Sequence, residues 1–326
     1  MRILLCSKRD LTSVVILNDL LGRLRRIPDC IVYLMLAERT RQVETVVPEL
    51  VHMKVFERDL PFGVLFPLIE GQKVGTEAGS AAIDEALARY DLPSADLARR
   101  AALPAERLLT LNRLVERHRV PVQIVYRMED NNLRVTAEAF QPDLILSVRF
   151  SYIFPSSFIA LPRLGVINVH PGAVPGYAGL YPHFHSMLSG EKALGCTVHF
   201  VDDGIDSGAI LATGEVPIEP ERSAFGHNLA SHLVGNRLVA EIVEQLAGGK
   251  RLRGKLQDRS RLRHHTYPTP EEFAAFEMKG FSLIDMREYL DLLGRFGLFE
   301  QVPEFFGDRG LPDSRDSDRI STTYRG

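Results

Sequence analysis

Short runs of consecutive apolar residues, alternating with segments of helical spacing, constrain this chain more than any other feature. Arg2 to Cys6, Cys30 to Leu36, Val120 to Val125 and Leu144 to Val148 read as strands apolar on both faces, the mark of a parallel sheet covered by helices on either side. Thr12 to Leu24 and Leu133 to Phe140 supply helices between them, and Gln141-Pro142-Asp143 is a helix-to-strand turn. A strand at Val166 to Val169, a helix at His183 to Leu188, strands at Cys196 to Val201 and Ala209 to Ile218, and a long helix over Ala224 to Leu246 follow. The expected fold is α/β, with a doubly wound, mostly parallel sheet.

One such unit takes roughly 200 to 250 residues, fewer than the 326 present. The surplus falls in two places. Met53 to Arg119 opens as a loop rich in Gly and Pro (Pro61, Gly63, Pro67, Gly71, Gly75, Gly79) and continues as helices, one opening at Ser80, others around Ala95 to Ala101 and Ala105 to His118. From Lys250 a basic run, a helix start at Tyr267 to Glu272 and a helix at Ile284 to Leu293 form an extension. From about residue 308 hydrophobes are scarce, so a disordered tail is expected there. The expected organisation is a catalytic domain over 1–248 with a helical insertion at about 53–119, then a C-terminal extension over 249–326.

Charge and cysteine content exclude whole classes of function. With 39 basic against 42 acidic residues, a formal net charge of −3 offers no global field for nucleic acid or an anionic membrane. Cys6, Cys30 and Cys196 are too few and too scattered for a disulfide framework or a zinc pattern, so no metal is expected. The N-terminus turns charged at Lys8, Arg9 and Asp10 instead of extending an apolar targeting run, and no apolar stretch approaches the roughly 18 residues that cross a bilayer. A soluble, cytoplasmic protein without a membrane partner is expected.

The stretch from Gly165 to Pro182 carries the chemistry. Asn168 and His170 stand two apart on one strand and so share a face, at the strand's C-terminal end, before a loop of glycines and prolines. Ligands of open α/β sheets bind at that edge. An amide beside an imidazole there offers a donor to a developing oxyanion and a group that changes charge near neutrality; the same two residues could equally cap strand and loop backbone. A second block, Gly195 to Leu211, places Asp202, Asp203 and Asp206 with Gly204 and Gly208 in a tight loop between two apolar strands. One of those carboxylates near His170 could orient it and hold its charged form.

Asn168-x-His170-Pro, the Pro175 to Pro182 loop and Val-His199-Phe-Val-Asp202-Asp203-Gly-Ile-Asp206-Ser-Gly resemble the core of the folate-dependent formyltransferases, the group of the glycinamide ribonucleotide, methionyl-tRNA and amino-sugar formyltransferases. Pro142 to Pro155 and Leu161 to Gly165 resemble the segment leading to the catalytic strand of those enzymes, and Val120 to Leu246 is the part the resemblance covers. It implies a Rossmann-like core and transfer of a formyl group from N10-formyltetrahydrofolate to an amine. It further implies that Asn168 donates to the formyl oxygen, that His170 stabilises the oxyanion and assists proton movement, and that Asp206 holds His170 and relays the proton. By the same resemblance the backbone of Val148, Arg149, Phe150 and Ser151 and the loop of Asp202, Asp203, Gly204 and Ile205 hold the pterin. Tyr177, Tyr181 and His183 are candidate acceptor contacts, and His199 is as readily a packed core imidazole as a functional one.

Cys6-Ser-Lys-Arg-Asp10 lacks the glycine that lets backbone N–H groups cradle a phosphate, which argues against glycinamide ribonucleotide as acceptor. Lys250 to His265 holds seven basic residues and two histidines against Asp258, a solvated face or a contact for a phosphate-bearing acceptor. The leading expectation is an N-formyltransferase acting on a small amine: an amino sugar nucleotide, an amino acid or a natural-product intermediate. Methionyl-tRNA is a weaker acceptor for want of a broad basic surface. Hydrolysis of formyltetrahydrofolate is weaker because that branch carries a regulatory domain ahead of the core. Outside enzymes, a catalytically silent folate-binding or partner-binding module is the alternative, and the extension could serve a homodimer.

Overall fold

The computed structural model describes residues 1–71, 77–90 and 107–297. Nine strands are described: β1 (Arg2–Lys8), β2 (Ile31–Ala37), β3 (Val122–Val125), β4 (Leu144–Val148), β5 (Val166–His170), β6 (Ala178–Gly179), β7 (Ala193–Phe200), β8 (Ile210–Pro217) and β9 (His264–His265). Seven of them form one sheet in the order β3-β2-β1-β4-β5-β7-β8. Pairs from β3 to β5 are parallel, while β7 runs antiparallel to β5 and β8 to β7. The mostly parallel, doubly wound sheet expected from the apolar runs is the one that forms. Its strand order reverses between β1 and β4, the crevice where ligands bind in this architecture.

Strand periodicity divides the core between the two faces. Ile3 and Leu5 of β1 join one cluster with α1 (Leu11–Leu24), while Leu4 and Cys6 join another on the opposite face. Chain order continues with α2 (Pro48–Lys54), α3 (Phe66–Glu70), α4 (Glu77–Arg89), α5 (Leu111–His118), α6 (Asn131–Phe140), α7 (Ser156–Ile159), α8 (Pro182–Leu188), α9 (Ala224–Ala247), α10 (Pro270–Met278) and α11 (Met286–Arg295). α6 and α7 cover the second face through Leu133, Ala137 and Phe158. α9 lies across β5, β7 and β8 and beside α1. It comes so close that a Cβ on Gly235 would sit 2.2 Å from Val169 Cγ1 and 2.9 Å from Cys196 Sγ.

The stretch expected as a Gly/Pro loop after Met53 is instead helical almost throughout its described part up to Glu70. Between α2 and α3 the chain makes two π-type turns, Val55–Asp59 and Pro61–Leu65. Leu50, Met53, Phe56, Leu60, Leu65, Phe66 and Ile69 recur at roughly helical spacing and are all buried, and that burial outweighs the breakers. Pro61 and Pro67 stand at segment starts, where a missing N–H costs nothing. The helix expected from Ser80 begins at Glu77, and the one expected over Ala105–His118 is described from Leu111. The helix expected around Ala95 to Ala101 and the tail from 308 lie outside the described residues.

The C-terminal part packs onto both the insertion and the sheet. Tyr289 of α11 donates its hydroxyl to Phe56 O at 2.8 Å, and the two rings meet edge to face. Phe273 and Phe276 of α10 pack on Phe184 of α8. Two-residue strands β6 and β9, invisible as strands in the sequence, pair in parallel and bring His264 and His265 against the loop after β5.

Candidate active site

Asn168 and His170 stand at the carboxyl end of β5 and His199 faces them on β7, where Asn168 pairs with His199 across the antiparallel ladder. The loop between β7 and β8 returns Asp206 to the same place. This loop is held from within by Ser207 Oγ and Gly204 N, which donate to Asp202 Oδ1 at 2.7 and 3.0 Å. It is held from outside by Gln257 Nε2, which donates to Asp206 O and Gly208 O at 2.8 and 2.7 Å. Gly208 is required, because a Cβ there would lie 1.7 Å from Phe200 O. Asp206 itself is left-handed, with φ +50°, a conformation that Asp tolerates better than most side chains.

Four side chains thus converge. Asp206 Oδ2 lies 3.4 Å from His170 Nδ1 and Asp206 Oδ1 lies 3.5 Å from His199 Nε2. Asn168 Nδ2 approaches His199 Nε2 at 3.2 Å and donates to Asp206 Oδ1 at 3.4 Å. Gly179 N donates to Asp206 Oδ2 at 2.8 Å, so β6 also feeds the site. His170 Nε2 contacts Tyr177 O at 2.6 Å; a carbonyl only accepts, so that nitrogen carries a proton. Its Nδ1 faces the carboxylate. His199 Nδ1 donates in the same way to Phe200 O at 2.8 Å.

Burial alone would raise the Asp206 carboxyl. The charge of His170, the hydrogen bond and charge of His199, and the Gly179 N–H outweigh burial and hold it well below the usual carboxylate range. The result is an ionised carboxylate, two imidazoles and an amide N–H in one partly buried group. Such a set can stabilise a developing oxyanion and move a proton. Among the described residues no group of three or more His, Cys, Asp or Glu is arranged to hold a metal ion.

Beside this group a cleft opens at the β1/β4 switch point. It is lined by Lys8 and Asp10 after β1, by Arg39 and Arg41 after β2, by Arg149, Phe150 and Ser151 after β4, and by Pro171 next to His170. Tyr181 and His183 of the expected acceptor set also line it. The Tyr177 ring does not: it stacks on His265 at 5.4 Å and donates to Glu191 Oε1 at 2.7 Å.

Arg149 crosses the cleft floor. With φ +62°, it sends its side chain to Asp10, Nε to Oδ2 at 3.0 Å, and to Glu57, Nη2 to both carboxylate oxygens at 2.7 Å. Burial works against the guanidinium's charge, but Asp10 and Glu57 outweigh it and raise the group. Thr12 Oγ1 adds a 2.7 Å bond to Glu57. Asp10 also caps α1 by accepting from Ser13 N at 2.8 Å, so a carboxylate of the chain itself occupies the helix N-terminus where a phosphate could otherwise bind.

The two segments expected to hold a pterin sit side by side, although Asp202–Ile205 does not line the cleft itself. Phe150 and Val201 pack on one cluster, and Ser156 Oγ donates to Asp203 Oδ1 at 3.2 Å. Phe150 stacks on Phe154 at 5.1 Å, and Ile205 is about half exposed at 49%. Sequence reasoning missed Glu57, Gln257, Asn228 and His232. For the last two a signal exists: Asn228, His232 and Asn236 recur every four residues, a polar row on a helix that is otherwise buried.

Fold and site together define a Rossmann-like α/β protein with a cluster of polar side chains at the carboxyl edge of its sheet. Residues 105–234, which hold Asn168, His170, His199 and Asp206, match the family model described as formyl transferase. Among curated proteins the chain is 32% identical over 145 residues to a methionyl-tRNA formyltransferase of Geotalea uraniireducens (strain Rf4), covering 44% of this chain and 46% of the relative. It is 35% identical over 140 residues to one of Synechococcus sp. (strain JA-3-3Ab), covering 42% and 43%. The chain thus spans less than half the length of these relatives. Similar solved structures include a 4-N formyltransferase from Francisella tularensis (TM-score 0.48, 14% identity, 90% of this chain and 87% of that one). A phosphoribosylglycinamide formyltransferase from Bacillus halodurans is another (TM-score 0.47, 15% identity, 76% and 95%).

Proposed function

We propose that the chain is an N-formyltransferase that moves a formyl group from N10-formyltetrahydrofolate to a small amine. The observation that carries this reading is the convergence of Asn168, His170, His199 and Asp206 within the segment that matches the formyl transferase model. Complete transfer breaks the C–N bond to the folate and forms a C–N bond to the amine, while one proton passes from the amine to the departing nitrogen. Asn168 supplies the N–H that steadies the formyl oxygen. His170 and Asp206 are the pair placed to carry the proton, with His199 and Gly179 N–H fixing the carboxylate. Val148–Ser151 and Asp202–Ile205 would hold the formyl donor. We divide the chain accordingly into a catalytic unit over 1–248, with its insertion at 53–119, and an extension over 249–326 whose Gln257 steadies the catalytic loop.

A second reading, methionyl-tRNA as acceptor, is favoured by the names of the curated relatives. The small-amine reading is preferred on the net charge of −3, since a polyanion partner calls for a broad basic surface. Salt-dependent binding of tRNA would reverse that preference. The formyltransferase reading is tested by incubating the protein with N10-formyltetrahydrofolate and a panel of amines. Amine-dependent release of tetrahydrofolate is expected; no release, together with no binding of a folate analogue, overturns the reading.

A further inference from the structure

Both loops that carry the polar cluster are tied to one stretch of the C-terminal extension. Lys255 exchanges two backbone hydrogen bonds with Ile210, at 2.7 and 2.8 Å, and Gly254 lies so close to Ala209 that a Cβ on it would sit 2.6 Å from the Ala209 Cβ. Gln257 then holds the Asp206 loop, and Arg259 pairs with Asp202 at 2.9 Å. Further along, the same stretch reaches the loop after β5. Arg263 N donates to Pro175 O at 2.9 Å, Ala178 N to Arg263 O at 3.1 Å and Leu180 N to His265 O at 2.9 Å. Gly179, at φ +93°, has no room for a Cβ, which would lie 2.3 Å from His265 O.

The loop after β5 delivers two groups to the site, the Gly179 N–H to Asp206 and the Tyr177 carbonyl to His170 Nε2. Side chains hold Tyr177 in addition to the backbone. Its ring lies flat on His265, with 5.4 Å between centroids and 11° between planes, and His265 lies in turn on His185 at 4.4 Å and 27°. His265 Nε2 donates to Gly176 O, the carbonyl before Tyr177, at 3.3 Å. His185 is buried in α8, and its Nε2 donates to Thr266 O at 3.1 Å, so the stack stands on a fixed base. Rings from two distant parts of the chain therefore carry the Tyr177 peptide to within 2.6 Å of His170.

A neutral imidazole has one N–H and one lone pair, and two acceptors face His170: Tyr177 O at 2.6 Å from Nε2 and Asp206 Oδ2 at 3.4 Å from Nδ1. A carboxylate is the stronger acceptor, so the proton stays on Nε2 only while the carbonyl is held at its shorter distance. The partner of one ring nitrogen thereby decides the state of the other. We infer that His265 is a positioning residue for His170: stacked between Tyr177 and His185, it holds the Tyr177 carbonyl where it keeps the proton of the neutral His170 ring on Nε2 and leaves Nδ1 to meet Asp206 in proton transfer. The extension is thus part of the catalytic site. The consequence for turnover rests on the formyltransferase reading; the tautomer does not.

The test uses the full chain labelled with ¹⁵N in histidine and reads the His170 tautomer by long-range ¹H–¹⁵N correlation on the alkaline side of the imidazole titration, with His170→Gln assigning the signal. Wild type should show the Nε2–H form. His265→Ala should move the proton to Nδ1 in most molecules and lower kcat by about 10–100-fold, the effect of a displacement of order 1 Å at a reacting group, with KM changed less than about twofold. His265→Phe, which keeps the ring, should retain the tautomer and most of kcat. Tyr177→Ala and Tyr177→Phe repeat the comparison on the outer side of the stack, so the test survives if His265→Ala does not fold; the first should shift the tautomer and the second should not. An Nδ1–H ring in wild type, or a tautomer unchanged in the folded alanine variants, overturns the inference even where kcat falls, because a merely structural role lowers stability without moving that proton. A shifted tautomer with wild-type kcat overturns it as well. Wild type that transfers no formyl group to any amine sinks the formyltransferase reading alone, and the tautomers of the alanine variants still decide this one.

Discussion

Replacing Asp206 by Asn removes one charge and leaves the shape of the site unchanged. The amide oxygen can still accept from Gly179 N–H, now 2.8 Å from Asp206 Oδ2, but it can neither take a proton nor balance a charged His170. At the observed 3.4 Å between Asp206 and His170, a unit charge pair is worth about 5 kcal/mol at an effective dielectric constant of about 20. The cost of burying the carboxylate consumes part of that in the resting protein. A positioned proton-transfer group contributes roughly 10²–10⁴ in rate, about 3–5 kcal/mol of barrier. Asp206→Asn should therefore lower kcat by ~10²–10⁴-fold while folate-analogue affinity changes less than about threefold. Turnover is followed as tetrahydrofolate release, with circular dichroism to verify the fold. The carboxylate also leaves a trace in stability. It stays ionised below the ordinary value in the folded state, so its contribution is present above about pH 4 and is lost as pH falls further. The stability gap between wild type and Asp206→Asn should close in acid. A folded variant with kcat within threefold of wild type would refute the assignment of Asp206 to proton transfer.

Other substitutions probe the supports. Arg149→Met leaves the buried Glu57 carboxylate without its cation and Asp10 with only Lys8 at 3.6 Å, and should cost about 3–5 kcal/mol in urea unfolding; adding Glu57→Gln should recover part of the loss. Gln257→Ala removes two hydrogen bonds that hold the catalytic loop and should lower stability by about 1–3 kcal/mol and depress kcat more than it raises KM. Gly208→Ala cannot keep the loop where it is, given the 1.7 Å approach to Phe200 O, and should abolish turnover while the sheet still folds. His183, His227 and His232 are all neutral in the fold, burial being the first cause, with His227 down to about 4 and His232 to about 3. The unfolded chain binds their protons first, so stability should fall as pH drops below about 6.5, by up to ~1.4 kcal/mol per pH unit per group. Denaturant titrations from pH 7 to pH 5 check this, and His232→Gln should flatten the slope.

Strands β4 and β5 were legible because a strand buried on both faces is an unbroken apolar run, and Asn168 and His170 stood out as polar residues ending such a run. The tertiary use of Arg149 was not legible: its partners Asp10 and Glu57 lie 139 and 92 residues away in sequence, and nothing local marks a guanidinium as already paired. Met53 to Glu70 departs from the expected loop because its buried apolar spacing outweighs the glycine and prolines, and π-type turns can carry that spacing past a proline. β6 and β9 are two residues each and exist only because the extension returns to the loop after β5. Asn228 and His232 were overlooked inside a helix read as simply amphipathic, although polar side chains every four residues on a buried stripe are the pattern of a helix that faces a polar space.

If this site moves a formyl group between nitrogens, as proposed, a label on that carbon follows it. N10-formyltetrahydrofolate carrying ¹³C in the formyl group, mixed with enzyme and a reactive amine, should give a new ¹³C formamide resonance bonded to the acceptor nitrogen, in one-to-one amount with tetrahydrofolate and lost in Asp206→Asn. Label that appears only as free formate, or that stays on the folate whichever amine is offered, would contradict it.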